Sequence, residues 1–355
     1  MAKTITKQRR ILFSLIASVL GLLFVWALAE VAFRGIVFWR SQQYPTQTTA
    51  VDPLMGWHAV PNFEFKGTVP DAAGNNYELN FSTDENGFKY FDAGQDTNHK
   101  RLLVIGDSYT HAIEVSNDKS YYGLLKDSLQ KNEVDLFAYG ARGIGPLQQL
   151  IWMKEWLPKI EPDVILWQYC FNDIYNSSYE LESNSYFNNN RRIRPFYEEG
   201  QIVYRNPARL GMANLREFSM FLDFIITKIE VIIEGNDHKN NRASEDYVQA
   251  QGKNYTPYAH ALTTLDELIR QMQVQMDTGM TILAFPVDNT QPYFDDMTAV
   301  FEKNGIAVVK EIPLKIAAAA NAGKTVYAKD KAHWNEEGHK LAAESLWPML
   351  HALLH

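Results

Sequence analysis

The chain has 355 residues, 46% hydrophobic and 13% aromatic, enough to bury a sizeable core in one large domain or two modest ones. Its net charge of -8 and pI near 5.6 argue against a nucleic-acid partner, because binding to a phosphate backbone rests on clustered lysine and arginine. Cys170 is the single cysteine, so neither an internal disulfide nor a thiolate zinc cluster can form.

Residues 1–10 form a basic tail with Lys3, Lys7, Arg9 and Arg10, and residues 11–33 are apolar except for Ser14, Ser18 and Glu30. About 20 apolar residues suffice to cross a bilayer, and a basic flank keeps the amino terminus cytoplasmic. The segment reads as a single-pass anchor in the cell inner membrane, with the rest of the chain periplasmic or otherwise outside the cytoplasm. Ala27-Leu28-Ala29 also fits a signal-peptidase site, but the apolar run exceeds the ~7 to 15 residues of a signal core, which favours the uncleaved anchor. Residues 34–51 read as a tether, polar and mostly uncharged from residue 41 on. Residues 52–99 hold short strand-like pieces broken by Gly56, Pro61, Gly67, Pro70, Gly74 and Gly87, a β-rich lead-in in which Trp57 packs.

From residue 100 strands and helices alternate in the rhythm of a doubly wound parallel sheet. Strands are expected at 101–105, 134–138, 163–169, 281–285 and 305–309, and helices at 119–130, 147–156, 258–276, 315–322 and from 335 to 354. An insertion at about 176–256 interrupts the rhythm. Within it, 176–206 reads as an irregular loop and 235–252 as a polar linker. Residues 213–234 read as a helix with Phe218, Phe221, Leu222, Ile225, Ile226, Ile229 and Ile233 on one broad face. That face is expected to pack on the core, with a lid lying on lipid or over an acyl chain as the sharper alternative.

The stretch Leu102-Leu103-Val104-Ile105-Gly106-Asp107-Ser108 is an apolar run of strand length that stops at a tight turn, which displays Ser108 just past the carboxyl end of a buried strand. Ligands bind at that end of open α/β sheets. The bland alternative is that Asp107 or Ser108 only caps the next helix. A serine nucleophile needs an adjacent base, itself held in one tautomer. Asp330-x-x-His333 supplies a candidate base, His333, and a candidate orienting carboxylate, Asp330.

Gly106-Asp107-Ser108, the glycine-rich turn at 140–145, Asn172-Asp173 and Asp330-x-x-His333 come in this order, the first three at strand ends, and together resemble the SGNH, or GDSL-type, serine hydrolase superfamily over roughly residues 100 to 350. The lead-in is similar to that of membrane-anchored members. The resemblance implies Ser108, His333 and Asp330 as catalytic residues, and an oxyanion hole formed by the backbone N–H of Ser108, the backbone N–H of Gly143 and the side-chain amide of Asn172. Asp107 then orders the turn. This chain has Cys170 where the family usually has glycine, two residues before the asparagine. His339 reads as a surface helix residue, and Arg142 as half of a surface salt bridge or as a steering group for an anionic substrate. Trp334 walls the pocket or packs on the last helix.

The expected fold is α/β, a flavodoxin-like three-layer arrangement around a five-stranded parallel sheet, with a transmembrane helix and β-rich lead-in before it. The expected function is that of an exported serine esterase acting through an acyl-serine intermediate on ester-linked acyl groups. O-acetyl groups of a surface glycan are the first candidates, removed or transferred with a possible membrane acyl-donor partner. The alternatives are a lipase or thioesterase with a helical lid, and a non-catalytic scaffold or glycan-binding subunit. Neither cofactor nor metal is expected.

Overall fold

The structure is a computed structural model that describes residues 6–92, 98–276 and 279–354. Lys3 of the basic tail and residues 93–97 of the lead-in lie outside the described residues. Helix α1 (Lys7–Ser41) is followed by two antiparallel hairpins, β1 (Thr49–Asp52) with β2 (Gly56–Ala59) and β3 (Glu64–Pro70) with β4 (Asn76–Ser82). Strand β1 takes in the end of the expected tether. The lead-in's last piece, β5 (Tyr90–Phe91), joins the central sheet.

That sheet continues with β6 (Lys100–Gly106), β7 (Val134–Gly140) and β8 (Val164–Tyr169). The helices around these strands are α2 (Ser108–His111), α3 (Lys126–Lys131), α4 (Pro146–Ile160), α5 (Asn172–Asn176) and α6 (Tyr179–Ser183). Next come the hairpin β9 (Arg194–Glu198) and β10 (Gln201–Arg205), then α7 (Ala213–Phe218), α8 (Met220–Lys239), α9 (Ser244–Gln251) and α10 (Thr256–Val274). The domain closes with β11 (Thr281–Pro286), α11 (Tyr293–Lys303), β12 (Ala307–Val308), α12 (Glu311–Asn321) and α13 (Glu336–Leu354).

Among the described residues the central sheet runs β12-β11-β8-β6-β7-β5. Its first five members are parallel and β5 pairs antiparallel to β7, so the five-stranded expectation gains an edge strand from the lead-in. Two residues are too short to carry a strand period, which hides β5 from the sequence. The parallel strands, taken in chain order, lie 2-1-3-4-5, and the order of building reverses between β6 and β8. A crevice opens there at the strand ends.

Alternation along β6 divides the core. Leu103 and Ile105 face a layer with α4, α10 and α11, while Leu102 and Val104 face α12 and α13. All four are at most 1% exposed, each contributing about 1.5–3 kcal/mol of burial.

The insertion differs most from expectation. The irregular loop contains α6 and the β9–β10 hairpin, and the linker is taken up by the end of α8 and by α9. Arg194 and Glu182, both fully buried and 3.1 Å apart, tie the hairpin to α6. The helix expected at 213–234 is broken at Ser219, whose hydroxyl caps α8 by accepting from the Leu222 N–H at 3.1 Å. Of its expected packed face only Ile226 is buried, because Glu230 and Glu234 occupy the inner side. The helix expected at 119–130 shrinks to α3 after a 3₁₀ turn.

Candidate active site

Strand β6 ends at Gly106, where a Cβ would run into Gln168 Oε1 of β8 and Thr110 Oγ1 of α2. Glycine is needed for that close approach. Gln168 Oε1 accepts the Asp107 N–H at 2.9 Å, and the Asp107 carboxylate accepts the Tyr109 N–H at 3.0 Å. Fully buried Asp107 thus orders the turn and caps α2, leaving Ser108 at the mouth of the crevice.

Ser108 Oγ lies 2.8 Å from His333 Nε2, and His333 Nδ1 lies 2.5 Å from Asp330 Oδ2. The other Asp330 oxygen accepts the N–H groups of Ala332 and His333, both at 3.0 Å, which sets the turn that presents the imidazole. Tyr109 latches this turn to α2, its hydroxyl donating to the Ala332 carbonyl at 2.9 Å and its ring 5.0 Å from that of His333. Residues 225 positions apart therefore meet in the Ser–His–Asp line that a nucleophile, its base and an orienting carboxylate would require.

Among the described residues, the backbone N–H groups of Ser108 and Gly143 find no acceptor within the protein. Gly143 has φ +70°, and a Cβ there would collide with Asn190 Oδ1, so position and conformation both require glycine. Asn172, at the start of α5, points its amide toward Asp107 Oδ2 at a long 3.4 Å, and its Oδ1 is buried without a partner. Ser108, Gly143, Asn172 and His333 line one cleft of about 510 Å³. The structure thus brings all five sequence-derived site residues together. Cys170 lines the same cleft, its thiol 3.4 Å from the Asp288 carboxylate, and burial pushes that thiol up and keeps it neutral.

Glu114 escaped the sequence reading. Only 2% exposed, it places Oε1 3.6 Å from His333 Nδ1. Burial favours the neutral imidazole, but the Glu114 carboxylate and the Asp330 hydrogen bond and charge outweigh it, raising the His333 pKa to about 9. Burial pushes the Glu114 carboxyl up, opposed by the charges of His333 and Arg142. For Asp330, burial is outweighed by hydrogen bonds from His333 and the backbone, which hold its carboxyl low. Glu114, Asp330 and His333 also form a group of potential metal ligands, with one ligating atom from each within 4.8 Å of the others. Both imidazole nitrogens are already engaged by Asp330 and Ser108, which favours the triad use.

Arg142 and Arg192 line the same cleft, and neither has an ion pair among the described residues, so the surface salt bridge expected for Arg142 is not formed. Thr48 and Thr49, from the expected tether, also reach the cleft. His339 is buried rather than on the surface. Its ring stacks on Tyr121 and accepts the Tyr121 N–H at 3.2 Å, and burial drives its pKa down to about 3. Trp334 is 1% exposed and packs between Tyr109 and His339.

No family model and no curated protein matches the chain. Among solved structures it is similar to TesA, at 14% identity and a TM-score of 0.42 over 72% of this chain and 99% of that one. It is also similar to the psychrotrophic esterase EstA from Pseudoalteromonas sp., at 13% and 0.40 over 72% and 98%. A Clostridium thermocellum family 3 carbohydrate esterase matches at 14% and 0.39 over 73% and 100%. In its own strand order, and in the sequence and placement of its Gly-Asp-Ser, glycine-turn, Asn-Asp and Asp-x-x-His blocks, the chain resembles the SGNH, or GDSL-type, serine hydrolases.

Proposed function

We propose that this chain is a serine esterase that works through an acyl-serine intermediate on ester-linked acyl groups. The observation that carries the reading is the continuous line from Ser108 Oγ through His333 to Asp330, set in a cleft with the Ser108 and Gly143 N–H donors. Ser108 Oγ attacks the ester carbonyl while His333 Nε2 takes its proton. The resulting oxyanion is met by the two backbone donors and the Asn172 amide. His333 then protonates the departing alkoxide, leaving the acyl group on Ser108. Water, or a sugar hydroxyl, gives its proton to His333 and attacks the acyl carbonyl, and His333 passes that proton to the departing Ser108 Oγ, so hydrolysis and transfer share the first half-reaction.

The finer reading is an O-acetylated or otherwise acylated surface glycan as substrate. It is supported by a cleft lined with polar groups, Asn188 and Asn190 among them, and by the guanidinium groups of Arg142 and Arg192, which have no ion pair among the described residues, Arg192 donating to the Thr49 hydroxyl at 3.0 Å. Helix α1 is long and apolar enough to cross a membrane. In this reading it anchors the enzyme in the inner membrane with the catalytic domain outside the cytoplasm.

The test is hydrolysis of a short-chain aryl acetate by the full chain beside Ser108→Ala, with intact-mass detection of an acyl adduct. Serine-dependent turnover with an adduct supports the reading. Equal turnover by a folded Ser108→Ala protein would sink it.

A further inference from the structure

Helix α8 is built inside out for a helix that faces water. Its buried side holds Glu230 and Glu234, 0% and 1% exposed, and Arg191 Nε reaches Glu230 at 3.1 Å while its guanidinium also pairs with Glu234. Arg216 closes on Glu230 from α7. The outer side carries Phe224, Ile225, Ile229, Val231 and Ile232, and α7 adds Phe218, with Phe218 64% and Ile232 71% exposed. A water-facing helix turns its apolar stripe inward, whereas polar groups face the protein interior when the surroundings are lipid.

The apolar side is continuous with α1. Glu30 of α1, 8% exposed, accepts the Ser219 hydroxyl at 2.6 Å, the Phe221 N–H at 3.0 Å and the Met220 N–H at 3.2 Å, so its carboxylate sits on the amino end of α8. Trp26 stacks on Phe218 at 5.5 Å and Phe33 meets Phe224 at 4.9 Å. From Ile11 to Glu30 is 19 positions, about 28 Å at ~1.5 Å each, close to the ~30 Å of a hydrocarbon core. Glu30 therefore falls near the far boundary of the span, and α8 starts there. Exposed Val31, Phe38 and Trp39 extend the apolar surface along the rest of α1. Lys228 interrupts the α8 stripe with its ammonium 5.4 Å from the Phe224 ring, placed to extend toward lipid headgroups.

We propose that α7 and α8 lie in the non-cytoplasmic interface of the bilayer that α1 crosses, with the Phe224-to-Ile232 face among the lipid acyl chains. The proposal rests on the reading of α1 as a membrane span. It also bears on the active site, because Arg191 holds α8 while its neighbour Arg192 lines the catalytic cleft. The bilayer surface thus fixes the height of the cleft.

The test uses the full chain in phosphatidylcholine–phosphatidylglycerol vesicles. A nitroxide is placed in turn at Leu20→Cys, Ile232→Cys and Glu199→Cys, with the unsubstituted chain and its buried Cys170 giving the labelling background. Collision rates with oxygen and with a water-soluble nickel chelate are then compared. The expected result is an oxygen-favoured label at Leu20 and Ile232 and a nickel-favoured one at Glu199. A Leu20 label in lipid with an Ile232 label as nickel-accessible as Glu199 overturns the proposal alone. An Ile232 label shielded from both reagents also overturns it, pointing to a protein partner or a second copy. A nickel-accessible Leu20 label overturns the membrane reading of α1 and the proposal with it.

Discussion

Replacing Glu114 by glutamine keeps the shape beside His333 and removes a charge. Two unit charges 3.6 Å apart interact by about 4–5 kcal/mol at an effective dielectric of about 20, a ceiling of roughly three pKa units. Burial of Glu114 favours its neutral form and lowers the effect below that ceiling. We expect the His333 midpoint to drop from about 9 by roughly one to two units, with Asp330 still raising it. A raised histidine pKa means the base is protonated until the pH passes it. In the parent protein kcat/KM should therefore climb about tenfold per pH unit and level off near 9. In Glu114→Gln the plateau should begin one to two units earlier, with kcat/KM at pH 7 raised by roughly 10- to 50-fold, less what the weaker base costs. The assay is the pH profile of kcat/KM on an aryl acetate, paired with an NMR titration of the His333 ring in a Ser108→Ala background. Superposable profiles and an unmoved titration would refute the reasoning, since a merely structural role for Glu114 shifts neither midpoint.

Asn172→Ala removes one oxyanion donor and should lower kcat by roughly 100-fold or more with little change in KM. An unchanged kcat would show that its amide serves Asp107 alone. Gly143→Ala places a Cβ against Asn190 Oδ1 at a φ of +70°, so the 142–145 turn must shift. Its kcat should fall on the order of 100-fold while thermal unfolding moves by only a few degrees. Arg142→Gln together with Arg192→Gln should raise KM for an acetyl ester carrying a carboxylate by on the order of tenfold and leave a neutral ester unaffected. Equal effects on both esters would remove charge from the recognition.

Much of the site was legible because its parts are local. Four buried aliphatics followed by Gly-Asp-Ser specify a strand and a tight turn within seven residues, and Asp330 reaches His333 across three. Each block ends a sheet strand or forms a single turn, so a short window contains the physical reason for it. Glu114 has no such window. It belongs to no periodic run, and it is brought under His333 by the loop after α2, where the Tyr77 hydroxyl of the β3–β4 hairpin donates to the Glu114 carbonyl. Thr48 and Thr49 read as tether for the same reason, their strand partners lying across a turn in Ala59 and Val60.

By itself the sequence determined the parallel α/β core, the Gly-Asp-Ser turn at the end of its first strand, the Asp330–His333 pairing, and a hydrophobic first helix. These follow from strand composition, side-chain chemistry and chain length, all of which are local. The tertiary structure alone decided the sixth strand, the burial of His339, the second carboxylate at His333 and the direction in which α8 faces. Periodicity reports that a helix has an apolar side. Which side turns inward depends on what it packs against, and here Arg191 and Arg216 draw Glu230 and Glu234 in and turn the isoleucines out.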